Sequence, residues 1–338
     1  MTAPVLYLGD VLTSSLPIMH PKLWAKYSAA KDNLWQPSDV EFSADVLDWL
    51  RVLSGAERGA LLLALQTLSS SAEAEATQLP LWYTRGFCSL ESRYFYGLQI
   101  AKKNIHVETY EILLGLFTAN LPNMGAHATA HMNSPQVRAK KEWASKWLQD
   151  VSKSMSERLT ALICVGGVFA STSLAVALCF REKNLLPGLS RALSLIATDD
   201  EIHLSFASAM VRQLPGGSCE RAIRSIFSEA VDLETDFALH SLGLEAMGLC
   251  PIDIAAYIRF RADELLSGMG HRKYYRVSNP LNRARHLRPL NRPGVHTRRD
   301  SGAFSLSSLD QVTDSDTTLN WYAPEIQASG KTDVARTL

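Results

Sequence analysis

Apolar residues recur at spacings of three and four through most of the chain. This is the period of a helix with one buried face. The pattern predicts helices over 41–54, 56–79, 86–119, 137–151, 155–182, 188–213, 218–247 and 251–268. The breaks carry helix-stop residues: Pro122-Asn123-Met124-Gly125, Pro187-Gly188, Pro215-Gly216-Gly217 and Gly248-Leu249-Cys250-Pro251. No strand alternation runs between them. Several segments exceed the usual helix length of about 11–12 residues, as bundles need, so the fold class is all-α.

The ends read differently. Residues 1–40 carry scattered Pro, Ser and Gly and read as an N-terminal arm, ending near Trp35-Gln36-Pro37-Ser38-Asp39. Residues 41–270 are the helical body. From 271 the composition shifts: His271 to Arg299 holds nine Lys or Arg and no acid, with Pro280, Pro289 and Pro293. Residues 300–338 are rich in Ser, Thr and Asp. The 271–338 stretch reads as a loosely ordered tail. Its basic part at 271–299 either contacts RNA or an acidic partner or is a solvated linker.

At 338 residues the protein is long enough to bury a large core, and 46% apolar against 20% charged residues fits a globular protein. A formal net charge of zero gives no global reason to expect nucleic acid or membrane binding. The cysteines Cys88, Cys164, Cys179, Cys219 and Cys250 are scattered and odd in number, with no CxxC. Cys164 and Cys179 lie in apolar runs, as buried thiols in a reducing compartment do. No run reads as a membrane span and the N-terminus lacks a signal-peptide pattern. The expected location is cytoplasmic, with an organelle as the alternative.

Candidate chemistry comes from two helix faces. Tyr96, Ile100, Lys103, His106, Val107, Tyr110 and Leu114 share one face, and Ile196, Asp200, His203 and Ala207 share another. Each carries an X-x-x-His pair, Lys103–His106 and Asp200–His203. Where X is Glu in both, the pairs form half of a di-iron or di-manganese bundle site. Spacing alone favours two buried, hydrogen-bonded histidines over a metal site. His127 and His131 are spaced to share a zinc ion, but no third ligand is near.

Longer words extend the pattern. ESRYFYGLQIAKKNIHVETY (91–110) and VGGVFASTSLAVALCFREKNLLPGLSRALSLIATDDEIHLSFA (165–207) resemble the small, radical-generating subunit of class I ribonucleotide reductase. So do HPKLWAKYSAAKDNLWQPSDVEFSADVLDW (20–49), KKEWASKWL (140–148), AAYIRFRADELL and YYRVSNP. The resemblance runs in order over about residues 18–280.

It implies a ferritin-like helical bundle that dimerises, with a dimetal centre beside a radical-storing tyrosine, serving a large catalytic subunit. Under the resemblance the ligand positions are Ala72, Lys103, His106, Gly166, Asp200 and His203. Three carboxylates are absent and a fourth is shortened to Asp, so the di-iron or related cofactor is expected to be lost. Glu73 and Glu75 are read as too far round the helix to replace a ligand at Ala72. Tyr110 stands at the radical position, and Trp35, Asp199 and His106 at the radical-transfer positions. They are also good structural residues whatever the chemistry. Lys103 and Asp200 are expected to form a buried ion pair where the family holds metal. The tail is not notably acidic, and Tyr322 is its candidate docking tyrosine.

Three functions are in view. The first is a non-catalytic paralogue, a pseudoenzyme that homodimerises or pairs with an active small subunit or with the large subunit in deoxyribonucleotide synthesis. The second is an active, metal-free subunit with a radical derived from Tyr110. The third is a structural or interaction protein in an unrelated assembly.

Overall fold

The computed structural model describes residues 18–83, 89–119, 131–214 and 219–281. Those residues form helices α1 (Pro21–Asp32), α2 (Ser43–Arg51), α3 (Gly55–Tyr83), α4 (Leu90–Thr118) and α5 (Pro135–Gln149). They continue with α6 (Met155–Gly167), α7 (Ser171–Glu182), α8 (Pro187–Gln213), α9 (Glu220–Ser241) and α10 (Pro251–Gly268). Short 3₁₀ turns occupy Pro37–Asp39 and Leu244–Met247, and no strand occurs among the described residues. The body is an all-α, ferritin-like bundle whose most extensive pairing is α3 on α4.

Three expectations need correcting. The N-terminal arm contains a helix, α1. Only Leu23 and Ala30 of it are fully buried, too thin an apolar face to give a clear period. The single helix expected over 155–182 is two, broken at 168–170, where Val168, Phe169 and Ala170 give no compositional stop signal. Contrary to the reading above, Met155–Glu182 is long and apolar enough to cross a membrane by length and composition, but 83% of its most apolar window is buried inside the bundle. His127, Tyr322 and most of 271–299 lie outside the described residues.

Local chemistry fixes the helix ends. Ser89 caps α4, accepting from Ser92 N, and Ser154 with Glu157 forms a capping box on α6. The start of α8 is held from another helix. Asp45 of α2 accepts from the backbone N–H of Gly188 at 2.8 Å and of Leu189 at 2.6 Å. A side chain on Gly188 would place its Cβ 2.4 Å from the Glu41 carbonyl oxygen, so only glycine fits. Burial pushes the Asp45 carboxyl up to about 6 despite those two donors. At the far end, buried Asp263 accepts from the backbone of Tyr274, Tyr275 and Arg276 at 2.6–2.9 Å. The first residues beyond α10 are thereby tied to the bundle.

Candidate functional site

Four helices converge on one small cavity. α3 brings Ala72 and Glu75, α4 brings Lys102, Lys103, His106 and Tyr110, α6 brings Gly166, and α8 brings Asp199, Asp200 and His203. The cavity is lined by Glu75, Gln99, Lys103, Gly166, Asp200 and His203 among others, and has a volume of about 10 Å³. That is room for one water at most. A second, larger groove of about 310 Å³ between α3 and α5 shares no lining residue with it.

The Lys103 ammonium is the hub. It donates to Asp200 Oδ1 at 2.9 Å and to Glu75 Oε1 at 2.9 Å, with its side chain only 3% exposed. Burial disfavours its charge, but Asp200 and Glu75 outweigh that and hold its pKa above the ordinary lysine value. The carboxylates respond in opposite directions. Burial raises Glu75 even against the pull of Lys103, and the charge of Asp200 adds to the rise. Burial acts on Asp200 too, but there Lys103 and the nearby histidines prevail and keep it ionised well below the usual range.

Glu75 corrects the sequence reading. One residue turns a helix by about 100°, which removes Glu73 from the face of Ala72. Three residues turn it by about 300°, leaving Glu75 only about 60° from Ala72 and on the same side. A Cβ on Gly166 would lie 3.3 Å from Glu75 Oε1, so the Glu75 carboxylate occupies the space that a side chain at 166 would need.

His203 is poorly provided for. Its Nδ1 lies 3.5 Å from Asp200 Oδ1, and neither ring nitrogen has a hydrogen-bond partner among the described residues. Burial, reinforced by the Lys103 charge, lowers its pKa to about 4, so the ring is neutral. His106 Nδ1 is 3.6 Å from the same Asp200 oxygen. Tyr110 is 2% exposed, and burial together with the Asp200 and Glu75 charges raises its phenol well above the ordinary value.

Beside the cavity lies a hydrogen-bonded chain centred on Asp199. Trp35 Nε1 donates to its Oδ2 at 2.9 Å, and His106 Nε2 lies 3.1 Å from the same oxygen. Asn33 Nδ2 donates to Oδ1 at 2.9 Å, and Lys102 forms a buried ion pair with that oxygen while donating to the Asn33 carbonyl at 2.6 Å. Trp35 and His106 stack at 6.0 Å between centroids. Burial alone would raise the Asp199 carboxyl, but His106 and Lys102 hold it low. Sequence reasoning missed Lys102 and Asn33. The available signal was the matched doublets, Lys102-Lys103 on α4 and Asp199-Asp200 on α8, which pair member for member.

His131 of the proposed zinc pair is buried. Its Nε2 lies 3.1 Å from Thr67 Oγ1, and burial with the Lys140 charge lowers its pKa to about 4. Among the described residues, no group of three or more His, Cys, Asp or Glu side chains is arranged to hold a metal ion.

Residues 13–280 match the family described as "Ribonucleotide reductase, small chain". The protein belongs to that family. It is 30% identical over 266 residues to the ribonucleoside-diphosphate reductase small chain of Schizosaccharomyces pombe, covering 79% of this protein and 68% of the relative. It is 31% identical over 266 residues to the ribonucleoside-diphosphate reductase small chain of Nicotiana tabacum, covering 79% and 80%. Among solved structures it is similar to the ribonucleotide reductase Rnr4 homodimer from Saccharomyces cerevisiae, with a TM-score of 0.73 and 27% identity over 80% of this protein and 86% of that one. The R2 subunit from Clostridium botulinum shares the fold at a TM-score of 0.71 and 16% identity, covering 78% and 87%.

Proposed function

We propose that this small-chain homologue lacks a dimetal centre. We further propose that it serves deoxyribonucleotide synthesis as a non-catalytic subunit, by associating with an active small subunit or with the large subunit. The observation that carries this reading is the Lys103 ammonium, held 2.9 Å from both Glu75 and Asp200. Two divalent ions bring about four positive charges and need several hard oxygen donors. Here both pocket carboxylates are engaged by a cation that belongs to the protein itself, Ala72 and Gly166 offer no donor, and the cavity takes no more than a water. This donor set does not fit two metal ions.

The similarity to a solved small-chain homodimer supports association with a like-folded partner. Buried free thiols at Cys164 and Cys179 suit a cytosolic setting, which imaging of the tagged protein tests. The deciding experiment is elemental mass spectrometry on protein purified after iron and manganese supplementation. No bound metal is expected, and close to two ions per polypeptide would overturn the reading.

A second reading is an active, metal-free subunit with a radical derived from Tyr110. The continuous Trp35–Asp199–His106 hydrogen-bond chain and the deep burial of Tyr110 favour it. Peptide mass analysis at Tyr110 and electron paramagnetic resonance separate the two. An unmodified, silent tyrosine eliminates the second reading.

A further inference from the structure

Helix α1 carries a lysine on its inner face. Leu23 and Ala30 are its fully buried residues, and Lys26 lies between them at steps of three and four, so it turns towards the bundle. Its ammonium donates to Ser205 Oγ of α8 at 2.5 Å. Arg212 stands seven residues further along α8, on the same face and about 10 Å on by the helix rise. It donates to the Gly268 carbonyl at the end of α10. A Cβ on Gly270 would lie 3.5 Å from Arg212 Cδ, so the arginine stem rests against the turn that follows α10. Among the described residues, no carboxylate forms an ion pair with Lys26 or Arg212. The nearest acids in sequence on α8 and α10 are already engaged: Glu201 meets Arg261 at 3.2 Å, and Glu264 meets Lys273 at 2.7 Å. Burial first, and then the Arg212 charge, lower the Lys26 pKa. Two like charges drawn partly out of water are costly unless a counter-charge joins them.

The donors here are not used up. An ammonium has three N–H groups and a guanidinium five, and among the described residues Lys26 and Arg212 each make one hydrogen bond. Ser205 accepts from Lys26, which leaves its own hydroxyl hydrogen to give. Lys26 is half-buried, while Ser205 and Arg212 are exposed, so the cluster is open to solvent. We propose that Lys26, Ser205 and Arg212 form a binding site for a dianion of the phosphate class, either free phosphate or the phosphate group of a small ester. Two cations match two negative charges. N–H and O–H donors from α1 and α8 can reach several oxygens of one tetrahedral group, and charge-assisted bonds of this kind are the strong ones. None of the three residues lines the Lys103 cavity, so the site stands apart from the question of metal.

Equilibrium dialysis of the full-length protein against radiolabelled inorganic phosphate, at constant ionic strength, tests it. Saturable binding of one phosphate per polypeptide is expected. Lys26→Met and Arg212→Met each weaken it by about tenfold or more. Lys273→Met, which removes a lysine already paired with Glu264, leaves it unchanged. Ser205→Ala is the milder variant should either Met variant fail to fold, with circular dichroism checking all four, and it weakens binding severalfold. Competition by glycerol 3-phosphate separates the two sources. Tighter binding of the ester assigns the site to phosphate esters, and equal or weaker binding assigns it to free phosphate. No saturable binding overturns the proposal, as does binding indifferent to the Lys26, Ser205 and Arg212 variants. Acetate competing as well as phosphate overturns the choice of a dianion.

Discussion

Two of the buried lysines, Lys140 and Lys103, are paired with carboxylates in different ways. On α5, Lys140 donates to Glu234 of α9 at 2.7 Å and to the Phe169 carbonyl at 3.0 Å. Its ammonium lies 4.0 Å from the Phe237 ring centroid. The second Glu234 oxygen accepts from Thr172 N at 3.2 Å. One charge meets one charge, and the remaining capacity is met by backbone and ring. Around Lys103, a single ammonium faces two carboxylates, and His203 stands by with neither ring nitrogen bonded. The first is a balanced structural pair. The second carries more donor capacity than one lysine uses, as a site shaped for more positive charge would.

Replacing each lysine gives the widest test of that contrast. Lys103→Met strands two buried carboxylates and is expected to cost towards the upper end of about 3–5 kcal/mol, with Lys140→Met towards the lower end. Urea denaturation measures both, and a larger loss at Lys140 would break the comparison.

Next in size is a pH effect. The folded-state pKa of His203, about 4, lies below its unfolded value of about 6.5. Holding the ring neutral therefore adds no pH-dependent cost above pH 6.5 and destabilises the fold as pH falls from there towards 4. The stability of the parent protein relative to His203→Gln should fall by up to about 3 kcal/mol over that window. A difference independent of pH would mean the ring is not held neutral.

Gly166→Glu drives a second carboxylate against Glu75 and is expected to cost about 1–3 kcal/mol. Thermal melts would read this, and no loss would show that Glu75 can leave the pocket. The smallest effect is at Trp35. Trp35→Phe removes one of several donors to Asp199 and should cost about 1 kcal/mol. Asp199 keeps Lys102, so a much larger loss would make Trp35 the main support of the network.

The helices of the body were legible from apolar periodicity because each buries one face. α1 was not, since only Leu23 and Ala30 of it are fully buried. The break at 168–170 was not, since the apolar run continues through it. In the pocket, Lys103 and Asp200 were legible as partners because the family resemblance sets a lysine at one ligand position and keeps an acid at another on the facing helix. Glu75 was passed over by extending to it an angular argument that holds only for its neighbour Glu73. Lys102 and Asn33 were missed for another reason, although the matched Lys102-Lys103 and Asp199-Asp200 doublets hinted at the first. Asn33 precedes the regular helices of the body, and nothing local indicates that Lys102 turns towards Asp199 rather than solvent.

The position of the Lys103 charge also bears on how the protein matures. Its ammonium joins α3, α4 and α8 through Glu75 and Asp200. On the metal-free reading proposed above, a cross-tie that arrives with the polypeptide is complete when synthesis ends, and needs no ion delivered. The steady-state level of the folded protein should therefore follow its own translation rather than the iron status of the cell.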